Sequence, residues 1–165
     1  MHLIESITIE IDAPAELVWS VLVDYALYPE WNPFTVRVET TLEIGTVIDL
    51  YLPDPAKPGT TFLNREYVRA VDAPHYLRYD TAEEIPGMQA VREQWVTDLG
   101  DGRSSYRTTD LFSGEIADYV FKQQGTWVKE GFDSVCHALK QRAELLKGGL
   151  DERAEGAGLG SHRAG

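Results

Sequence analysis

The sequence predicts an α+β domain in which a curved antiparallel sheet wraps around one long C-terminal helix. Three observations carry that expectation. A capped amphipathic helix follows the first alternating strand, six further alternating segments come next with short turns between them, and a long helical stripe closes the chain. Short connections favour antiparallel pairing, because parallel strands need long crossovers.

Leu3, Ile7, Ile9 and Ile11 alternate with Ser6, Thr8 and Glu10, which predicts one half-buried first strand. Asp12-Ala-Pro-Ala-Glu16 then reads as a helix start, with Asp12 as cap, a proline near the first turn and an acid at the positive dipole end. Leu17, Val18, Val21, Leu22 and Tyr25 recur at helical spacing, and the helix ends near Asp24. The next stretch, DYALYPEWNPF, holds Pro29 and Pro33, which forbid a smooth continuation and predict a second short helical turn with an extended exit.

Six strands follow, from Phe34 to Thr40, Thr46 to Leu52, Thr61 to Val71, Tyr76 to Thr81, Met88 to Leu99 and Ser104 to Ser113. Turn residues such as Glu43-Ile-Gly45 and Gly100-Asp-Gly-Arg103 separate them. With the first strand they make a seven-stranded sheet. Val120, Trp127, Val128, Phe132, Val135, Leu139, Ala143 and Leu146 form the apolar stripe of the long helix, which begins properly near Gln124. Gly125 and Gly131 lie inside it, so either the helix breaks near Gly125 or these positions need close approach to something. Residues 148–165 contain six glycines and only two leucines as large apolar residues, which predicts a disordered tail behind a domain of residues 1–147.

At 165 residues, 43% hydrophobic and 25% charged, the chain has the composition of one ordinary folded domain. Its net charge of -12, with no Lys/Arg cluster, repels phosphate backbones and anionic surfaces, so nucleic acid is not an expected partner. No apolar run reaches the roughly 20 residues of a membrane span, so no membrane insertion is expected. The acidic N-terminal segment and the single Cys136 point to a cytoplasmic protein. Cys136 sits in the helical apolar pattern and reads as core. His2, His75, His137 and His162 show no ligand spacing, and neither a metal nor another cofactor is expected.

Several of these stretches resemble a known superfamily: ITIEIDAPAELVWSVLVDYALYPEWNPF, above all Asp12-Ala-Pro14, Val18-Trp19, Asp24-Tyr25, Tyr28-Pro29, Trp31 and Pro33, with Gly131-Phe132, Ala138-Leu-Lys140 and Ala143-Glu144 near the end. The chain to about Lys147 is similar to the START-like, or SRPBCC, superfamily, which includes polyketide cyclase/dehydrase proteins and the Bet v 1-like helix-grip fold. The resemblance implies a hydrophobic cavity between sheet and C-terminal helix. It does not fix a reaction, because one fold hosts many functions.

Alternation in VREQWVT puts Val91, Glu93, Trp95 and Thr97 on one face, and in SYRTTDLF it groups Tyr106, Thr108, Asp110 and Phe112. With the aromatic faces turned to the concave side, Glu93 and Asp110 both enter the cavity as candidate proton-transfer groups. The bland alternative is a polar patch that orients a ligand, or acids paired with Arg78, Arg92 or Arg107. Trp31, Phe34, Tyr51, Tyr79, Trp95, Tyr106, Phe112, Trp127 and Phe132 are the candidate ligand contacts. Residues Pro53 to Gly59 and Glu83 to Gly87 suggest the mouth, with Ile85 and Met88 as a lid. The first expectation is binding of a small hydrophobic molecule by a monomer or weak homodimer. A cyclase, aromatase or dehydratase enzyme is the alternative, and a chaperone-regulating or protein-binding module is the third reading.

Overall fold

The computed structural model describes residues 1–160, and it carries one antiparallel sheet and three α-helices. The strands are β1 (His2–Glu5), β2 (Ile9–Ile11), β3 (Arg37–Thr40), β4 (Val47–Pro53), β5 (Thr61–Asp72), β6 (Tyr76–Asp80), β7 (Gln89–Gly100) and β8 (Arg103–Ser113). The helices are α1 (Ala15–Val23), α2 (Tyr28–Trp31) and α3 (Ala117–Gly160), with a 3₁₀ turn over Tyr25–Leu27 ahead of α2. The sheet runs β1-β8-β7-β6-β5-β4-β3, with β2 also on β8.

Eight strands replace the expected seven because the first one breaks. Glu5 pairs with Thr109 but Ile9 with Tyr106, so one extra residue sits on this strand between the two pairings. Ser6 fills the gap: its Oγ donates to the Ile7 carbonyl at 2.7 Å and accepts from the Thr108 N–H at 2.9 Å. Such a bulge reverses the side-chain faces. Ile4 is therefore the buried residue of β1, and Leu3, expected inside, is exposed.

The first helix is capped by Pro14, not by Asp12, whose carboxylate instead receives Lys147 Nζ at 3.0 Å. Its buried face (Val18, Trp19, Val21, Leu22) joins Ile11, Leu77, Val96, Tyr106, Cys136, Leu139 and Ala143 in one solid core. A second cluster, around Phe34, Leu50, Leu52, Met88, Phe112, Val128 and Phe132, occupies the half of the grip that α1 does not fill. Burial pushes the Cys136 thiol up to about 11, in keeping with a core residue.

In DYALYPEWNPF, Tyr25, Tyr28 and Trp31 stack edge to face at 5.1 and 5.0 Å, and the buried Asn32 Oδ1 accepts the N–H groups of Phe34 at 3.0 Å and Thr35 at 2.8 Å. That local turn delivers Phe34 against α3. A Cβ on Gly131 would stand 2.4 Å from the Phe34 ring, so close approach, and not a helix break, explains this glycine. The helix passes unbroken through Gly125 as well and starts at Ala117, earlier than Gln124. It also continues over residues 148–160, where a disordered tail was expected. Residues 150–158 are exposed and add nothing to the core, and residues 161–165, with His162, lie outside the described residues.

Candidate functional site

Cross-strand register decides which side chains share the concave face, because directly opposed residues point the same way. Leu52 faces Phe62, Leu50 faces Asn64 and Ile48 faces Glu66 across β4 and β5. Val68 faces Tyr79, Tyr79 faces Arg92, Arg92 faces Asp110, and Asp110 faces Ile4 in one row across five strands. These residues form the inner wall, and α3 closes over them.

Between wall and helix lies a cavity of about 530 Å³, within the roughly 300–1,000 Å³ range usual for small-molecule sites. Its apolar lining includes Phe34, Leu50, Leu52, Phe112, Trp127 and Phe132, while Phe62 and Leu63 are exposed at its rim. Glu84, Ile85 and Met88 line it from the β6–β7 connection, so that segment forms part of the mouth, whereas no residue of the Pro53 to Gly59 loop contributes.

The polar groups of the lining include three buried charged residues: Glu66 is 2%, Arg92 7% and Asp110 8% exposed. Asn64 Nδ2 donates to Glu66 Oε1 at 2.8 Å, but Glu66 Oε2 and Asp110 Oδ1 have no hydrogen-bond partner among the described residues. Arg92 forms no ion pair with either carboxyl; its Nε approaches Thr108 Oγ1 at 3.3 Å and its guanidinium lies 4.5 Å over the Phe132 ring. Burial pushes the Glu66 carboxyl up to about 8, with the Asp110 charge adding to the effect and Arg92 opposing it. Burial likewise raises Asp110 to about 7 against the pull of Arg92. The two carboxyls titrate as a pair, and near neutral pH the pair retains a proton.

Asp110, Phe34, Phe112, Trp127 and Phe132 thus meet at the cavity, as the sequence suggests. Glu93 does not: it lies on the outer face opposite Thr109 and Arg78 and accepts a hydrogen bond from Tyr76. Trp95 is also outside, under the Arg107 guanidinium at 3.8 Å, and Tyr51 is outside beneath Arg37 at 4.3 Å. Tyr79 and Tyr106 point inward but are held in the wall by Gln94, which donates to Tyr79 Oη at 2.7 Å and accepts from Tyr106 at 2.6 Å. Trp31 packs with Tyr28 and does not line the cavity. Glu66 escapes the sequence reading, and Arg92 enters it only as one of three alternative partners for the acids. Glu66 sits on a strand whose inward positions, Phe62, Asn64 and Glu66, mix apolar with polar residues, and alternation in β7 puts Arg92 on the face opposite the aromatic Trp95.

A sheet gripping a long helix around an internal cavity defines the START-like, Bet v 1-like class of proteins. The family described as polyketide cyclase / dehydrase and lipid transport matches residues 5–144, and the chain belongs to it. Among solved structures the chain is similar to the Zhui aromatase/cyclase from a Streptomyces species (22% identity, TM-score 0.67, covering 87% of this chain and 93% of that one). It is also similar to a START superfamily protein from Mycobacterium smegmatis (17%, TM-score 0.65, covering 88% and 99%). A norcoclaurine synthase from Thalictrum flavum aligns at 16% identity and TM-score 0.62, covering 88% of this chain and 92% of that one. At these identities the likeness is one of fold. No curated protein matches the sequence. Among the described residues no helix is long and apolar enough to cross a membrane, and no group of three or more His, Cys, Asp or Glu could hold a metal ion.

Proposed function

We propose that this chain binds a small hydrophobic molecule, of the size of a lipid, polyketide or isoprenoid, in the cavity between the sheet and α3. The observation that carries this reading is the cavity itself: about 530 Å³ with aromatic and aliphatic walls and few buried charged groups. Apolar walls supply affinity through burial, and a few placed polar groups orient the guest. Native mass spectrometry of gently purified protein and displacement of a fluorescent apolar probe test it. The probe should bind the wild-type protein and be excluded by Ala90→Phe, which fills the lining from β7. A folded wild-type protein that takes up neither probe nor co-purifying ligand sinks the proposal.

One observation favours a second reading, an enzyme of the cyclase, aromatase or dehydratase type. Asp110 and Glu66 border the same cavity as Arg92, with a carboxyl oxygen of each uncommitted. A protonated carboxyl there serves as general acid, its ionised partner as general base, and the guanidinium stabilises a developing enolate oxygen. Asp110→Asn and Glu66→Gln should each lower turnover of a ketide substrate at least about 100-fold, the usual contribution of a positioned proton-transfer group. Unchanged turnover removes the enzymatic reading and leaves the binding one.

A further inference from the structure

The geometry points to the ligand class: we infer that the cavity takes a lipophilic amine, bound as its ammonium ion, with N–H groups directed at the Glu66 and Asp110 carboxyls. The inference rests on the cavity being the binding site. Glu66 Oε2 and Asp110 Oδ1 are buried acceptors without a donor from the protein, on side chains that line the cavity. An orphaned buried carboxyl oxygen is costly, so it calls for a donor from the guest.

Charge selects the kind of donor. With Glu66 and Asp110 ionised and Arg92 protonated, the three buried groups sum to one negative charge. In the empty site a retained proton cancels that charge, and a monocationic guest cancels it equally while also supplying two or three N–H donors. A neutral alcohol supplies one donor and leaves the proton in place, and a carboxylate adds a negative charge beside two buried acids. Other charged groups around the site are already engaged. On β5 Arg65 pairs with Asp49 of β4 at 2.7 Å, and Arg69 grips Asp80 of β6 at 2.9 Å. Glu84 at the mouth accepts from Tyr67, Asn64 is spent on Glu66, and the cavity-lining residues of α3 (Val120, Gln124, Trp127, Val128 and Phe132) carry no charge. The net charge of -12 adds a field that attracts a cation at long range. Binding is then an exchange in which the ammonium enters and a proton leaves the carboxyl pair.

The test uses three guests with one apolar body: naphthylethylamine, naphthylethanol and naphthylpropionate. Calorimetry in two buffers of different ionisation enthalpy should show the amine binding at least about tenfold tighter than the alcohol. It should release up to one proton per amine near neutral pH, with an affinity that rises between pH 6 and 8 by at most about tenfold per pH unit, the slope of a one-proton exchange. Asp110→Asn and Glu66→Gln, checked for folding by thermal melting, should each remove the preference for the amine while keeping the alcohol. If the alcohol or the carboxylate binds as tightly as the amine, or the amine binds without proton release, the inference is overturned and the cavity reading stands. If none of the three guests binds, both fall.

Discussion

Replacing Glu66 with Gln keeps the shape of the side chain and the acceptor that Asn64 uses, but removes a titration from the core. In the folded chain the Glu66 carboxyl is raised to about 8 from an ordinary 4.5, and Asp110 to about 7 from 3.8. A raised folded pKa means that the native state holds protons that the unfolded chain has released. Stability from this source is therefore greatest below about pH 4 and is lost progressively as pH rises from there to about 8. Each such proton gives a slope of about 1.4 kcal/mol per pH unit, and the wild-type loss across the window is on the order of 4 kcal/mol for each carboxyl. Glu66→Gln should be only weakly stabilising at pH 5.5, where the amide mimics the protonated acid of the folded chain, and stabilising by a few kcal/mol more at pH 8.5, where it spares an ionised carboxylate from burial. Urea unfolding followed by tryptophan fluorescence at the two pH values measures the difference, in which titrations other than those of Glu66 and its partner Asp110 cancel. Parallel pH profiles for the two proteins would refute the placement of Glu66 as a buried acid.

Gly131→Ala gains about 1 kcal/mol of helix propensity but drives a methyl group into the Phe34 ring, an overpacking cost of about 1–3 kcal/mol. The net should be a loss of stability, partly rescued by Phe34→Leu, together with weaker probe binding because the displaced ring enters the cavity. Asn32→Ala leaves the buried N–H groups of Phe34 and Thr35 without their acceptor and should cost about 1–3 kcal/mol in denaturant melts. Gln94→Leu strands the phenols of Tyr79 and Tyr106 and should cost a similar amount. Truncation after Lys147 should leave the unfolding midpoint and probe affinity unchanged, since residues 150–158 are exposed.

The fold was legible because its signals are local. The alternating strands, the proline-set turn of DYALYPEWNPF and the apolar stripe of α3 each need only a few neighbours to read. The site was half legible. Strand β8 alternates without interruption, so Asp110 and Phe112 fall on the inner face by count alone. Strand β7 offers two amphipathic faces, and its large aromatic, Trp95, suggests the wrong one. The outer sheet face here is built from cation–aromatic stacks, Arg107 on Trp95 and Arg37 on Tyr51, which cover aromatics without burying them in the core. Only the pairing of Arg92 with Asp110 fixes the choice, and register is a long-range property that alternation within one strand does not contain. Glu66 was hidden for the same reason. Its significance comes from neighbours two and three strands away, not from its own segment.

The most direct test of the central claim, that the cavity is the binding site, is methyl NMR of the labelled protein titrated with the naphthyl amine. Saturable shifts at Leu50, Leu52, Ile85, Met88 and Val128, with little change at the exposed Leu145 and Leu150, are the predicted result. Shifts confined to the exposed leucines, with the cavity methyls silent, would contradict it.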